Sequence, residues 1–471
     1  MTNSDSPTPT RRGLLRRIGV GAGVGASLLA GCGQRPGPTG TETPPGTSQD
    51  ATPGASTGTP GGFTDERSDY GTVIDMVDEG ADPAGGDPID DVLPGGDLDD
   101  TLLFFPEGEY LLDGGWQLRE FEHFGVLGDG AVVRPRDGYS GYLFAFGWSD
   151  RAVDFLFKGI DFDITAPETG VRPVHATIQD GLHVADVTVR GLQDTDQDSF
   201  RFDVTLASGT GLVENLNQPD GGDARYPITG CYVGEITDGT LTFKDCHIAG
   251  FPDNGLYASQ ANGPVHVVGG RYENNNVSNV RVTSDAVVRG VTVRATEARE
   301  GFSNVRGIRM RSGRNVLVED CTLEYTDVVG SNGAITMHDW LESATVRNTT
   351  VKIDTDDVPA IQAKAPANEV GSPGSGIRIE NVRITGRAAN RSAIEIDERS
   401  GTVLSDLCIH QTGGGRNGIR LLRSNDNVIR NCAIQVTGEP ILLQDSTASR
   451  ENVRTGRVSG GTGSMECLDE A

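Results

Sequence analysis

Short runs in which apolar and polar residues alternate recur along most of the chain. Leu241–Ile248 (LTFKDCHI), Val316–Leu323 (VLVEDCTL), Ala344–Val351 (ATVRNTTV) and Ile377–Ile384 (IRIENVRI) share one plan. A strand-like alternation leads to an Asp or Asn, and an apolar residue follows two or three positions later. Alternation with period two predicts a strand with one buried face. Asp and Asn tolerate a left-handed backbone, so they predict a sharp bend inside each unit. Looser copies centre on Gly290, Asp406 and Asn431.

A second short strand lies between successive copies. It reads Leu256–Ala258, Val280–Val282, Ile308–Met310, Ile335–Met337, Ile361–Ala363, Ile394–Ile396, Ile419–Leu421 and Ile441–Leu443. The first members are 24, 28, 27, 26, 33, 25 and 22 residues apart. Helical periodicity is absent. A period near 25 residues built from short strands predicts coils stacked through parallel sheets. Leucine-rich repeats share the period but need a leucine and asparagine consensus that is missing, and propeller blades need about 40 residues.

This pattern resembles the right-handed parallel β-helix of the pectin-lyase-like superfamily. Thr72–Val77 followed by Gly80-Ala81-Asp82 is similar to the opening segment of such proteins, and Leu103–Tyr110 (LFFPEGEY) to a step many of them carry. The resemblance covers roughly residues 70–460. It implies an all-β solenoid with an N-terminal cap and first coils over 69–150, repeats over 151–460 and a tail over 461–471. It implies nothing about chemistry by itself.

The first seventy residues read differently. Thr10–Arg16 (TRRGLLR) is a twin-arginine pattern, followed by an apolar, glycine-rich stretch from Ile18 to Gly31. That stretch is short for a membrane span. It ends in Leu29-Ala30-Gly31-Cys32, which resembles a lipobox, with Cys32 as the lipidated residue; cleavage without lipidation is the alternative. Residues 1–32 are thus expected to be an export signal. Residues 33–68, rich in Pro, Gly, Thr and Ser, are expected to be a disordered linker. Together they predict a protein lipid-anchored on the outer face of the cell membrane.

Composition adds a habitat. The 471 residues include 67 acidic and 40 basic ones, for a net charge of −27, and only four lysines, Lys158, Lys244, Lys352 and Lys364. The leader carries four arginines and one aspartate, a net +3, so its removal takes −27 to −30. A polyanion is repelled by such a surface, which argues against a nucleic-acid partner. The high-acid, low-lysine balance looks like that of exported lipoproteins of haloarchaeal type. The 65 glycines disfavour helices. Cys246 and Cys321 fall three coils apart, roughly 14 Å at ~4.8 Å per coil, too far for a disulfide. Cys408 and Cys432 fall on neighbouring coils, where a bridge is sterically allowed.

Candidate chemistry follows from the second strand. Its middle residues point outward and stack into a row: Tyr257, Arg281, Arg309, Thr336, Gln362, Glu395 and Arg420. The next outward row is Ser259, Thr283, Arg311, His338, Lys364 and Asp397. Arg281, Arg309, Arg311, His338 and Lys364 gather on adjacent coils, and Arg306 joins them. Stacked like charges about 5 Å apart repel and call for an anion. Arginine takes carboxylates and sulfates bidentately. The expectation is a groove for an acidic polysaccharide, with Tyr257, Asn254, Asn276, Asn279, Arg306, Arg311 and Lys364 binding substrate. The alternative is pairing with nearby carboxylates such as Glu297, Glu300 or Asp327.

Residues 250–257 (GFPDNGLY) occupy a position similar to the segment that carries a catalytic aspartate in polygalacturonase-type β-helices. Only Asp253 matches. The paired aspartates expected one coil on are replaced by residues 274–279 (NNNVSN), and the Gly-His-Gly after that by residues 304–307 (NVRG), which leaves inverting hydrolysis by paired carboxylates poorly supported. A pectate-lyase-like elimination needs an arginine base, for which Arg281, Arg309 and Arg311 are candidates. It also needs calcium, for which Asp253, Asn254 and Glu273 are candidate ligands. His338 is a candidate proton donor. Asp194, Asp196 and Asp198 resemble a calcium loop without its glycine and glutamate. His175 and His183 read as structural. Gly209–Tyr226 interrupts the repeat and reads as a loop walling the groove. The resulting expectation is an exported protein that binds, and as a lyase cleaves, an acidic polysaccharide. A non-catalytic adhesin or envelope scaffold and a glycoside hydrolase are the alternatives.

Overall fold

The computed structural model describes residues 66–368 and 376–458. The leader, Cys32, residues 33–65 of the expected linker and the 461–471 tail lie outside the described residues. The chain forms a parallel β-solenoid of about thirteen turns. One thirteen-stranded sheet runs from Trp116–Leu118 to Ile441–Gln444. The remaining strands join in a second, bent sheet of twenty-two strands. No helix of the described residues is long and apolar enough to cross a membrane.

The bend of the large sheet sits on the Asp and Asn positions. Asp186, Asn215, Asp245, Asp320, Asn348, Asn381, Asp406, Asn431 and Asn452 all have φ between 49° and 59°. At each of them the strand turns a corner while the ladder continues on either side; Ala344–Ile353, for example, pairs with Val316–Glu319 before Asn348 and with Thr322–Tyr325 after it. The corner side chains bond one another along the stack. Asn381 Nδ2 donates to Asn348 Oδ1 at 3.0 Å, Asn431 Nδ2 to Asp406 Oδ1 at 3.1 Å, and Asn452 Nδ2 to Asn431 Oδ1 at 3.1 Å.

The core is a set of stacked rows. Leu256, Val280, Ile308, Ile335, Ile361, Ile394, Ile419 and Ile441 are in register across the thirteen-stranded sheet. Like packs on like at the sheet spacing, so each coil buries the apolar face of its neighbours. Towards the N-terminus the filling turns aromatic, with Phe121, Phe124, Phe144, Phe146, Phe155 and Phe157 fully buried.

Several boundaries differ from the sequence reading. Glu66–Asp69 is already a 3-10 turn belonging to the solenoid, with Glu66 paired to Lys158 and Arg67 stacked on Phe104. Half of the expected loop Gly209–Tyr226 is the strand Thr210–Gln218, which pairs with Leu182–Arg190 and Thr240–Lys244. It escaped the pattern because polar side chains occupy most of its positions and only Val213, Leu216 and Gln218 are buried. Cys408 is disulfide-bonded, but not to Cys432: that residue, like Cys231, Cys246 and Cys321, is a free buried thiol.

Candidate functional site

The outward row of the thirteen-stranded sheet is continuous. Its register runs His175, Arg201, Tyr232, Tyr257, Arg281, Arg309, Thr336, Gln362, Glu395 and Arg420. Parallel pairing without a bulge at these positions forces each side chain over the next, about 4.8 Å away.

Charge along the row is balanced at both ends and not in the middle. At the N-terminal side Arg201 pairs with the buried Asp203 at 2.6 Å, and Gly234 N and Thr237 Oγ1 also donate to that carboxylate. At the C-terminal side Glu395 takes Arg391 at 2.5 Å and Arg420 at 3.5 Å, and Arg420 also reaches Asp397 at 2.7 Å. Between them, no carboxylate among the described residues comes within ion-pair distance of Arg281 or Arg309; the pairing with Glu297, Glu300 or Asp327 is not formed. The Arg281 guanidinium instead lies over the Tyr257 ring, 4.1 Å from its centroid, and Tyr257 meets Tyr232 edge-on at 5.3 Å. Arg309 is 9% exposed, and the Nε atoms of Arg281 and Arg309 are buried without a hydrogen-bond partner.

These surroundings act on acidity. Burial, then the charges of Arg281, Arg306 and Arg311, pull Arg309 down to about 9. Burial also lowers Arg281, against the opposing pull of Tyr257 and Asp253. Arg311 donates from Nη1 to His338 Nδ1 at 2.9 Å and lies 3.4 Å from Asp339, whose carboxylate also lies against His338. Burial and four cations (Arg311, Arg309, Lys364 and Arg306) hold His338 far below its ordinary range. Its Nδ1 thus faces both the Arg311 guanidinium and the Asp339 carboxylate, which fix the ring in place. Beside the cluster, Ser259, Arg311, Ser312, Gly313, Trp340 and Glu342 line a depression of about 490 Å³.

Two of the asparagines expected to bind substrate serve the backbone instead. Asn254 and Asn279 are fully buried and Asn276 nearly so. Asn276 donates to Pro252 O and accepts from Ser303 N and Asn304 N; Asn279 donates to Arg306 O and accepts from Asn275 N. Asn276 and Asn279 bind the turn that leads into the sheet, which leaves them no amide for a substrate, whereas the buried Asn254 amide has no hydrogen-bond partner among the described residues. Arg306 sits in the same turn, donating to Val277 O at 3.1 Å.

Asp253 precedes the strand Asn254–Tyr257, accepts from Thr229 Oγ1 at 3.1 Å and is raised by burial. Glu273 belongs to the other sheet, where it pairs with Arg271 at 3.0 Å. Asp253 and Glu273 thus face different partners, and no group of three metal-ligating side chains occurs among the described residues. Asp194 and Asp198 accept backbone N–H groups of Glu168, Gly170 and Thr229, a turn-capping task. Two residues that sequence reasoning passed over hold together the coils on the C-terminal side of the site. Arg399 and Arg416 are fully buried and donate to main-chain oxygens of neighbouring coils.

No protein-family profile matches the chain, and no curated protein sequence does. Among solved structures it is similar to the surface protein and adhesin PfbA of Streptococcus pneumoniae, with 12% identity, 82% of this chain and 100% of that one covered, and a TM-score of 0.49. It is also similar to the A-module of the mannuronan C-5 epimerase AlgE4 of Azotobacter vinelandii, with 14% identity, 80% and 99% covered, and a TM-score of 0.39. A third is the catalytic unit of a thermostable GH87 α-1,3-glucanase of Streptomyces thermodiastaticus, with 14% identity, 83% and 68% covered, and a TM-score of 0.44. These likenesses concern the fold alone.

Proposed function

We propose that the centre of the thirteen-stranded sheet binds an extracellular acidic polysaccharide through Arg281, Arg309 and Arg311. The observation that carries this reading is the uncompensated charge of Arg281 and Arg309 in a row whose other charges are paired. A buried cation without a partner is costly, and a carboxylate or sulfate of a ligand offsets that cost. The open, straight face of a solenoid suits a polymer, which lies along the row and contacts several coils. Burial also answers the habitat. At molar salt the Debye length is about 3 Å, so exposed charges lose their pull while a desolvated bidentate contact keeps it. In this reading the leader exports the protein by the twin-arginine route and Cys32 anchors it, with residues 33–65 as a tether.

Elimination at a uronate is the second reading, favoured by the lowered Arg309. At one pH unit below its value of about 9, about a tenth of Arg309 is neutral and able to accept the C5 proton. Arg281 and Arg311 take the charge-neutralising role at the uronate carboxylate.

The test titrates the full chain in high salt with polygalacturonate, alginate and a sulfated galactan, while ultraviolet absorbance monitors unsaturated product. Saturable binding that Arg309→Met weakens at least about tenfold is the expected result. Product formation lost in the same variant assigns the lyase. Absence of binding to every anionic polymer overturns the reading.

A further inference from the structure

The same outward row has an aromatic end, five coils from Arg309 or about 24 Å by strand spacing. Gln117, Ala145 and His175 continue the register beyond Arg201. Here Gly115, Trp116, Gln117, Tyr139, Tyr142, Ala145, Trp148 and His175 enclose a cavity of about 530 Å³. We propose that this cavity is a subsite for an uncharged pyranose, gripped between Tyr142 and Trp148 over His175.

Three observations support it. First, large aromatic surface is left in water: Tyr142 is 44% and Trp148 41% exposed. Both rings stand nearly perpendicular to the His175 ring, at 5.7 Å and 4.5 Å between centroids, so they form walls with the imidazole as floor. Ala145, next in the row, is too small to fill the gap between them. Second, His175 is 7% exposed, lines the cavity, and neither of its ring nitrogens has a hydrogen-bond partner. A neutral imidazole offers one donor and one acceptor, the complement of a hydroxyl pair. Burial, with Arg172 and Arg201 nearby, keeps it neutral by lowering it to about 3. Third, Trp148 adopts a left-handed backbone, φ 69°, which costs energy for a bulky residue. It follows Gly147, whose φ is 91° and where an added Cβ would lie 1.9 Å from Thr177 O. The chain is held in a strained turn that presents the indole instead of burying it.

Aromatic walls with few polar groups at the floor are the composition of a small-ligand pocket. Flat apolar faces with hydroxyls around the edge describe a pyranose. A carboxylate is a poor occupant. Of the two cations that act on His175, Arg172 is packed over Tyr142 and paired with Asp198 at 3.5 Å, and Arg201 is paired with Asp203 at 2.6 Å. The subsite stands without the anionic reading of the arginine cluster.

Calorimetric titration of the full chain with neutral hexasaccharides (β-1,4- and β-1,3-glucan, α-1,4-glucan, mannan and xylan) tests it. One of them is expected to bind, with an affinity that hardly changes between low and molar salt, unlike contact with the arginines. Trp148→Ala and His175→Phe are each expected to weaken that binding about tenfold or more. Ala145→Leu, which fills the cavity without removing a ring, is expected to do the same at an unchanged melting temperature. Binding by none of the panel, or binding that survives both Trp148→Ala and Ala145→Leu, overturns the proposal.

Discussion

Arg399 donates from Nη2 to the main-chain oxygen of His338 at 2.8 Å, across 61 residues of sequence. The same guanidinium reaches Leu341 O at 2.7 Å through Nη1 and Lys364 O at 2.8 Å through Nε. One buried side chain thus ties together the two coils that follow the arginine cluster, those of His338 and Lys364. Its burial lowers it to about 10, still well above neutrality, so the charge stays and strengthens all three bonds. Arg399→Met leaves three buried carbonyls without donors and is expected to cost about 3–5 kcal/mol. Arg399→Lys, with one compact ammonium, recovers only part of it. Thermal unfolding of both variants checks the order wild type, Lys, Met, and a matching loss of anionic-polymer affinity checks the coupling to the site.

Arg309 poses the opposite case. Its charge is buried without a carboxylate, beside three other cations. Replacing it by a methionine of similar length removes that cost. Arg309→Met is expected to raise the stability of the ligand-free protein by about 1–3 kcal/mol while weakening anion binding at least about tenfold. A melting temperature that falls in this variant contradicts the absence of a partner.

The corners of the large sheet give a third test. Asn348 has φ 51°, is exposed, and accepts from Asn381 Nδ2 at 3.0 Å. Asn348→Ala loses both the tolerance for this backbone and the ladder bond, and is expected to cost about 1–2 kcal/mol. Asn348→Gly keeps the backbone freedom and is expected to cost clearly less. Denaturant midpoints of the two variants compare them directly.

The corners and the outward row were legible because both follow from period. Asp245, Asp320, Asn348 and Asn381 recur at fixed places between apolar residues, and Tyr257 to Arg420 alternate with the Val and Ile residues that fill the core. What the letters hide is the partner. Asn276 and Asn279 look the same whether an amide meets a sugar or a backbone carbonyl, and here it is the backbone. Arg399 and Arg416 stand in turns, where arginine ordinarily means surface; only the stacking of coils above and below them creates the buried carbonyls they serve. The four cations around His338 likewise come from other coils and leave no mark in its own segment. The aromatic cavity was invisible for a related reason: Tyr142, Trp148 and His175 come from two coils and no repeat marks them.

Anion binding at Arg309 carries its own pH signature. The free site holds Arg309 at about 9, well below the ordinary guanidinium range, because burial and neighbouring arginines disfavour the proton. A bound carboxylate or sulfate lies beside the guanidinium and favours the charged form, so the bound-state value is higher. Protons are therefore taken up on binding above about pH 9, and none are needed well below it. Affinity is expected to be flat from pH 6 to 8 and to fall about tenfold per unit once the pH exceeds about 9, until the bound-state value is reached. In Arg309→Lys the same burial and neighbouring arginines act on a group that loses its proton more readily, and the fork is gone, so affinity is expected to be weaker and to start falling at a lower pH than in the wild type. Binding isotherms at a series of pH values, in buffers of different ionisation enthalpy, measure the slope and the proton uptake together. An affinity that stays constant to pH 11 would place the anion away from Arg309.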